Sequence, residues 1–215
     1  SVGRQHFILR MPQGFTKAQE KRHKDWFKNW ITEIFQTRID IKNKFKSKVS
    51  KTGDSLQVGE RHYELKIEYQ DRRTHAATLK NDIIHIKLSN TASSASYPQT
   101  IKRLMSRVVA QDFLPAIEQR VNQLNEQYIK KSIKKVSLKY NQSNWGSCSS
   151  KGNINLSTRL LFAPPKVIDY VILHELAHLV IMNHSEKFWA VISKAMPDYK
   201  LREQWLKENG AYCDF

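Results

Sequence analysis

With 215 residues, 40% apolar and 26% charged, the chain can bury a core as one domain or a small pair, and its composition excludes a disordered protein. No run of about 18 uncharged apolar residues occurs, so no membrane span is expected. Only Cys148 and Cys213 are present, too few for a disulfide framework though one bond between them stays open, and Phe7-Ile8-Leu9 is too short for an apolar leader, so a cytoplasmic setting is expected.

The net charge of +16 is unevenly placed. Residues 1–140 hold 28 Lys or Arg against 13 Asp or Glu, whereas residues 141–215 hold 8 against 7. A basic front ahead of a near-neutral rear suggests a polyanionic partner, nucleic acid first.

In chain order, His6 to Met11 reads as a short strand and Pro12-Gln13-Gly14 as a turn. Thr16 and Gln19 form a capping box for a helix whose apolar face is Trp26, Phe27, Trp30, Ile31, Ile34 and Phe35. Lys42, Lys44, Lys46, Lys48 and Lys51 mark a basic loop or frayed helix end. Past Gly53-Asp54 the period becomes alternating: Tyr63, Leu65, Ile67 and Tyr69 form one run, Ile84, Ile86 and Leu88 another. The Asn81-Asp82 turn before the second run suggests antiparallel pairing. Residues 89–96 are small and polar, the best candidate for a linker.

Two helical stripes follow, Ile101 to Val109 and Ile117 to Tyr128, with Pro115 expected to kink or separate them. Val136, Leu138 and Tyr140 mark a strand. Residues 145–152 read as a turn-rich connection into a strand around Ile154 and Leu156. Pro164-Pro165 starts a helix expected to run to about Met182. Ser185 can cap one more helix through Phe188, Trp189, Val191 and Ile192, ending near Pro197.

The decisive segment is His174-Glu175-Leu176-Ala177-His178. Four helical residues turn through about 400° and rise about 6 Å, so both imidazoles leave nearly one face and can share one ion. Glu175 lies about 100° around the helix, where it can reach a metal-bound water without being a ligand. Titratable side chains among Val171, Ile172, Leu173, Leu179, Val180 and Ile181 are costly unless paired or bound to metal. Six residues after His178, a chain reversal, helped by a left-handed Asn183, brings His184 in as a third ligand. Three protein ligands with a water make a catalytic rather than a structural zinc site.

The segment resembles the YgjP-like metallopeptidases, relatives of the SprT-like and WLM proteases among the zincins. The resemblance rests on Trp145-Gly146-Ser147-Cys148-Ser149, Gly152, Ile154, Leu156, Ala163-Pro164-Pro165 and Ile168-Asp169-Tyr170-Val171. It continues through the H-E-x-x-H, Asn183-His184-Ser185 and Phe188-Trp189. It implies His174, His178 and His184 as ligands, Glu175 as base, and a cleft bordered by the Ile154–Leu156 strand, along whose edge a peptide could pair. Two positions depart from the family pattern, Asn144 in place of Arg and Ser157 in place of Asn, and both bear on substrate contacts rather than on the metal.

Beside the triad, Tyr170 is a candidate to orient substrate or a packing residue. Asp169 complements the helix dipole or supports a ligand histidine. Cys148 fits a small buried residue in a tight turn, with a thiol ligand or redox switch as the other reading. Trp145 and Trp189 fit walls of the core around the site, with binding platforms as the other reading.

The expected fold is α+β: a zincin-like catalytic domain over residues 96–215, its H-E-x-x-H helix beside an antiparallel sheet, after a basic mixed α/β region over residues 1–95, or one continuous domain. The expected function is a zinc-dependent hydrolase, a metallopeptidase acting on proteins or peptides, with Glu175 taking the proton of the metal-bound water. Two other classes remain open: a metal-dependent nucleotide phosphohydrolase, although no Gly-rich phosphate cradle is present, and a nucleic-acid-associated protein whose metal site is auxiliary.

Overall fold

The computed structural model describes residues 9, 11, 14–37 and 50–215. Most of the strand expected over residues 6–11, most of the turn after it and the lysines from Lys42 to Lys48 lie outside the described residues. The chain divides into two compact units, 1–49 and 50–215.

In the first unit, helix α1 spans Lys17–Thr37. Its capping box is formed: the Thr16 N–H donates to Gln19 Oε1 at 2.9 Å, and the Gln19 N–H donates to the Thr16 hydroxyl at 3.3 Å. On the face expected to be buried, Phe27, Trp30, Ile31 and Ile34 are half-buried. Trp26 is exposed.

The second unit begins with strands β1 (Ser55–Val58), β2 (Arg61–Gln70), β3 (Ala76–Lys80) and β4 (Ile83–Ser89), in the order β1-β2-β4-β3. The expected antiparallel pairing of the two alternating runs is corrected here: β2 and β4 are neighbours but parallel, with Leu65 opposite Ile84 and Ile67 opposite Ile86. The Asn81-Asp82 turn instead closes a hairpin between β3 and β4. Both turn residues have positive φ, 51° and 60°, as a type I′ turn requires, and both types tolerate it. Tyr63, Leu65, Ile84, Ile86 and Leu88 are buried as the period-two pattern expects, whereas Ile67 is half-buried and Tyr69, at the end of β2, is exposed.

Residues 89–96, expected as a linker, lie inside this unit. Helix α2 (Tyr97–Leu124) follows and packs on β3, β4 and the later strand β5 (Lys135–Lys139). Pro115 does not divide it. The buried stripe runs from Ile101 to Val109 and resumes at Ile117, Val121 and Leu124, so burial on both sides of the proline outweighs one lost hydrogen bond. Tyr63 donates to Asp112 at 2.5 Å, tying β2 to this helix.

Strands β6 (Gly146–Cys148) and β7 (Asn153–Ser157) complete a second sheet in the order β5-β7-β6. β5 and β7 are parallel and β6 is antiparallel to β7. The α+β class expected from the sequence is present, with both sheets mixed. The segment expected as a turn-rich connection contains the strand β6, and its turn closes through Gly152 (φ 76°), whose N–H donates to Ser149 O at 2.9 Å. Helices α3 (Pro165–Ala177), α4 (Glu186–Ala195) and α5 (Tyr199–Asn209) end the chain, and α3 contacts α2, α4, α5, β6 and β7. No described helix is long and apolar enough to cross a membrane.

Candidate metal centre

Helix α3 starts at Pro165, whose ring suits the first helical position, and buries Val167, Val171, Ile172, Leu173 and Leu176. It ends at Ala177, short of the expected Met182. The N–H groups of Leu179 and Val180 bond to the carbonyls three residues back, Leu176 and Ala177, at 2.9 and 3.0 Å, and the turn tightens. The chain then reverses without a left-handed Asn183, since the only described non-glycine residues with positive φ are Asn81, Asp82 and Lys130.

This early end has a chemical result. The Ile181 carbonyl, outside the helix, meets His178 Nδ1 at 3.1 Å and leaves His178 Nε2 free to face an ion. His174, one turn earlier, and His184, past the reversal, bring their Nε2 atoms to 3.0 Å. One ligand atom from each of the three imidazoles lies within 4.8 Å of the others, the only such group among the described residues. Two nitrogens bound to one tetrahedral zinc sit about 3.3 Å apart, so the donor set and its spacing fit that ion.

Burial, then the neighbouring imidazoles His178 and His184, pushes His174 down to about 4, and burial also lowers His178. Both rings are therefore neutral near pH 7 with lone pairs available, the form that binds metal.

The cluster rests on one aromatic ring. Phe188 of α4 is fully buried, with centroid distances of 4.9, 4.7 and 4.8 Å to His174, His178 and His184. Trp189 borders His174 and His184 at 5.9 Å and stacks on Tyr199 of α5. Tyr199 stacks in turn on Tyr170, which meets His174 edge-on at 6.1 Å. Tyr170 is 5% exposed, and burial raises its phenol above the usual range, so it packs behind His174.

Glu175 is 5% exposed, and burial pushes its carboxyl up to about 7. It faces Gly146 on β6. A Cβ added to Gly146 would lie 2.5 Å from Glu175 Oε1 and 2.7 Å from its Cγ. Only glycine leaves room for the carboxylate here.

Several sequence expectations change with this geometry. Ile154 and Leu156 are fully buried on β7, the central strand of its sheet, so they line the core and offer no edge to a peptide. The outer strand on this side is β6. Asp169 forms a two-pronged pair with Arg120 of α2, both contacts at 2.7 Å, which is its role rather than the helix dipole or a histidine partner. Ser157 is fully buried and donates to Asn141 O at 2.9 Å, so it makes no substrate contact. Cys148 lies on β6 rather than in a turn. Burial, then the charge of Glu175, moves its thiol up to about 11, far from a reactive thiolate. Both cysteines are free.

Gly146, Phe188 as the floor and Tyr199 were not singled out from the sequence as site residues. For Gly146 the available signal was the residue type alone, since a glycine can mark the close approach of another group.

No curated protein matches the chain. Among solved structures it is similar to the metallopeptidase zymogen of Pyrococcus abyssi abylysin, with 23% identity and a TM-score of 0.40 over 43% of this chain and 93% of that one. It is also similar to the metallopeptidase zymogen of Methanocaldococcus jannaschii jannalysin, with 25% identity and a TM-score of 0.35 over 40% of this chain and 92% of that one. Superpositions of this extent bear on neither substrate nor mechanism. The profile of the YgjP-like metallopeptidase domain matches residues 2–209, nearly the whole length, and the chain belongs to that family.

Proposed function

We propose that the chain is a zinc-dependent peptidase in which His174, His178 and His184 hold the ion and Glu175 is the general base. The observation that carries this reading is the convergence of three imidazole nitrogens within 4.8 Å beside a buried carboxylate on the same helix. Zinc held there supplies a Lewis acid that acidifies water and polarises a carbonyl. The protein supplies the rest. His178 is fixed by the Ile181 carbonyl and His174 by Tyr170 and Phe188, which sets the rings before an ion arrives. Glu175 accepts the proton of the attacking water and returns it to the departing amine nitrogen. An extended peptide pairs with the outer edge of β6, which gives main-chain affinity with little demand on side chains.

Glu175→Gln should keep one zinc per chain and lose peptide hydrolysis by at least about 1,000-fold, because the amide cannot accept the proton. Turnover near wild type in that variant would refute the base assignment. Absence of stoichiometric zinc from carefully loaded wild-type protein would sink the whole reading.

A further inference from the structure

Arg159 lies in the 3₁₀ turn (Thr158–Phe162) after β7 and is 3% exposed. A guanidinium this deep is costly unless its donors are used. They are used on main chain: Nε donates to Cys213 O at 2.7 Å, Nη1 to Gln142 O at 3.0 Å and Nη2 to Gly210 O at 2.6 Å. All three carbonyls belong to irregular backbone, where no helix or sheet ladder serves them. The Asp214 carboxylate lies 4.0 Å away.

The same guanidinium covers the Trp145 ring, its carbon 4.8 Å from the ring centroid. The indole also packs against bare backbone: a Cβ on Gly210 would come within 2.5 Å of its Cζ2. Trp145 O accepts from the Ser157 N–H at 2.8 Å. The next residue is Gly146, the one that faces the Glu175 carboxylate.

We propose that Arg159 is a positioning residue for catalysis: by fastening Trp145 and the backbone of residues 142 and 210–213, it fixes where β6 begins and so where Gly146 seats Glu175. The proposal rests on the reading of Glu175 as the base. It assigns the turn after β7 and the segment after α5 a shared part in the reaction.

The test is Arg159→Lys, which keeps the charge but cannot span three carbonyls with one ammonium. Zinc should stay at one per chain while peptide turnover falls about 10- to 100-fold, the scale of a sub-ångström displacement of a reacting group. Hydrogen exchange should rise in residues 143–150 and 210–215, with residues 165–177 as protected as in wild type. Trp145→Phe should reproduce the same local pattern with Arg159 intact, and it carries the test if the lysine variant fails to fold. Wild-type turnover in Arg159→Lys overturns the proposal, as does a uniform rise in exchange across residues 50–215, the mark of a merely structural residue. If zinc-loaded wild type cleaves no peptide, the proposed function fails; raised exchange confined to the two segments then still supports the fastening, and unchanged exchange there overturns it.

Discussion

Gly146→Ala tests the seat of Glu175, the proposed general base, with one methyl group. The added Cβ would stand 2.5, 2.7 and 2.8 Å from Glu175 Oε1, Cγ and Cδ. Ordinary contacts begin near 3.5 Å, so either the carboxylate or β6 must give way by about 0.7–1 Å. Glu175 has little room to retreat, being 5% exposed on a helix packed on several sides, whereas β6 is paired only with β7. Either movement separates the base from its working position. A misplacement of about 1 Å costs on the order of 100-fold, so kcat/KM should fall about 30- to 100-fold, equivalent to about 2–3 kcal/mol of transition-state stabilisation. The three imidazoles are untouched, so zinc content should not change. The assay is hydrolysis of a quenched-fluorescent peptide pool by zinc-loaded protein, repeated in a Glu175→Gln background. There the alanine should cost little more, because its effect passes through the missing carboxylate. Wild-type kcat/KM in Gly146→Ala, or an equal further loss in the double variant, would refute the reasoning.

His184→Ala should leave α3 intact, since His184 is exposed, yet weaken zinc by more than about 100-fold in competition with a chelating dye, beyond the loss of an outer-shell partner. Retained affinity would remove His184 from the ligand set. In the metal-free chain, Glu175 favours its protonated form, with a folded value of about 7 against the ordinary 4.5. Its contribution to stability is therefore fully present below about pH 4.5 and lost as pH rises through 7, amounting to about 3 kcal/mol as an upper figure. Urea midpoints at pH 5 and pH 8 should separate more for metal-free wild type than for Glu175→Gln; equal separations would show that burial does not raise this group. Asp169→Asn should cost about 1–2 kcal/mol of stability by breaking the pair with Arg120 while leaving zinc affinity unchanged, and a changed zinc affinity would restore a supporting role toward the ligands.

The parts that were legible in the sequence are those fixed by local spacing. The four-residue interval of His174 and His178 is a property of one helix, and the Thr16–Gln19 capping box joins neighbours three apart. Burial on β4 and on the first half of β2 followed from alternation, which failed at the exposed Tyr69. Partners were harder. Parallel pairing of β2 with β4 depends on β3, whose Ala-Ala-Thr-Leu-Lys carries little strand signal. The three residues of β6 are Gly, Ser and Cys, which read as turn, and their strand exists only because β7 offers an unpaired edge. The contact of Gly146 with Glu175 joins two elements far apart in the chain, beyond the reach of any periodicity. At Pro115 a local rule lost to the continuous apolar stripe around it.

The arrangement of the first sheet also bears on how this chain reaches its native state. The β3–β4 hairpin closes through two residues, a microsecond event, whereas the parallel contact of β2 with β4 must bridge an intervening strand and a longer loop. With the hairpin formed first, β4 is already positioned when β2 docks, and the Asn81-Asp82 corner is predicted to act as a gate on the folding rate. Replacing Asn81 with alanine, a residue poorly suited to φ 51°, should slow refolding and leave unfolding nearly unchanged. In a chevron plot only the folding limb would drop. Until β2 arrives, one edge of β4 is open to other chains, so slower closure at this corner should appear as more aggregation on refolding at high concentration.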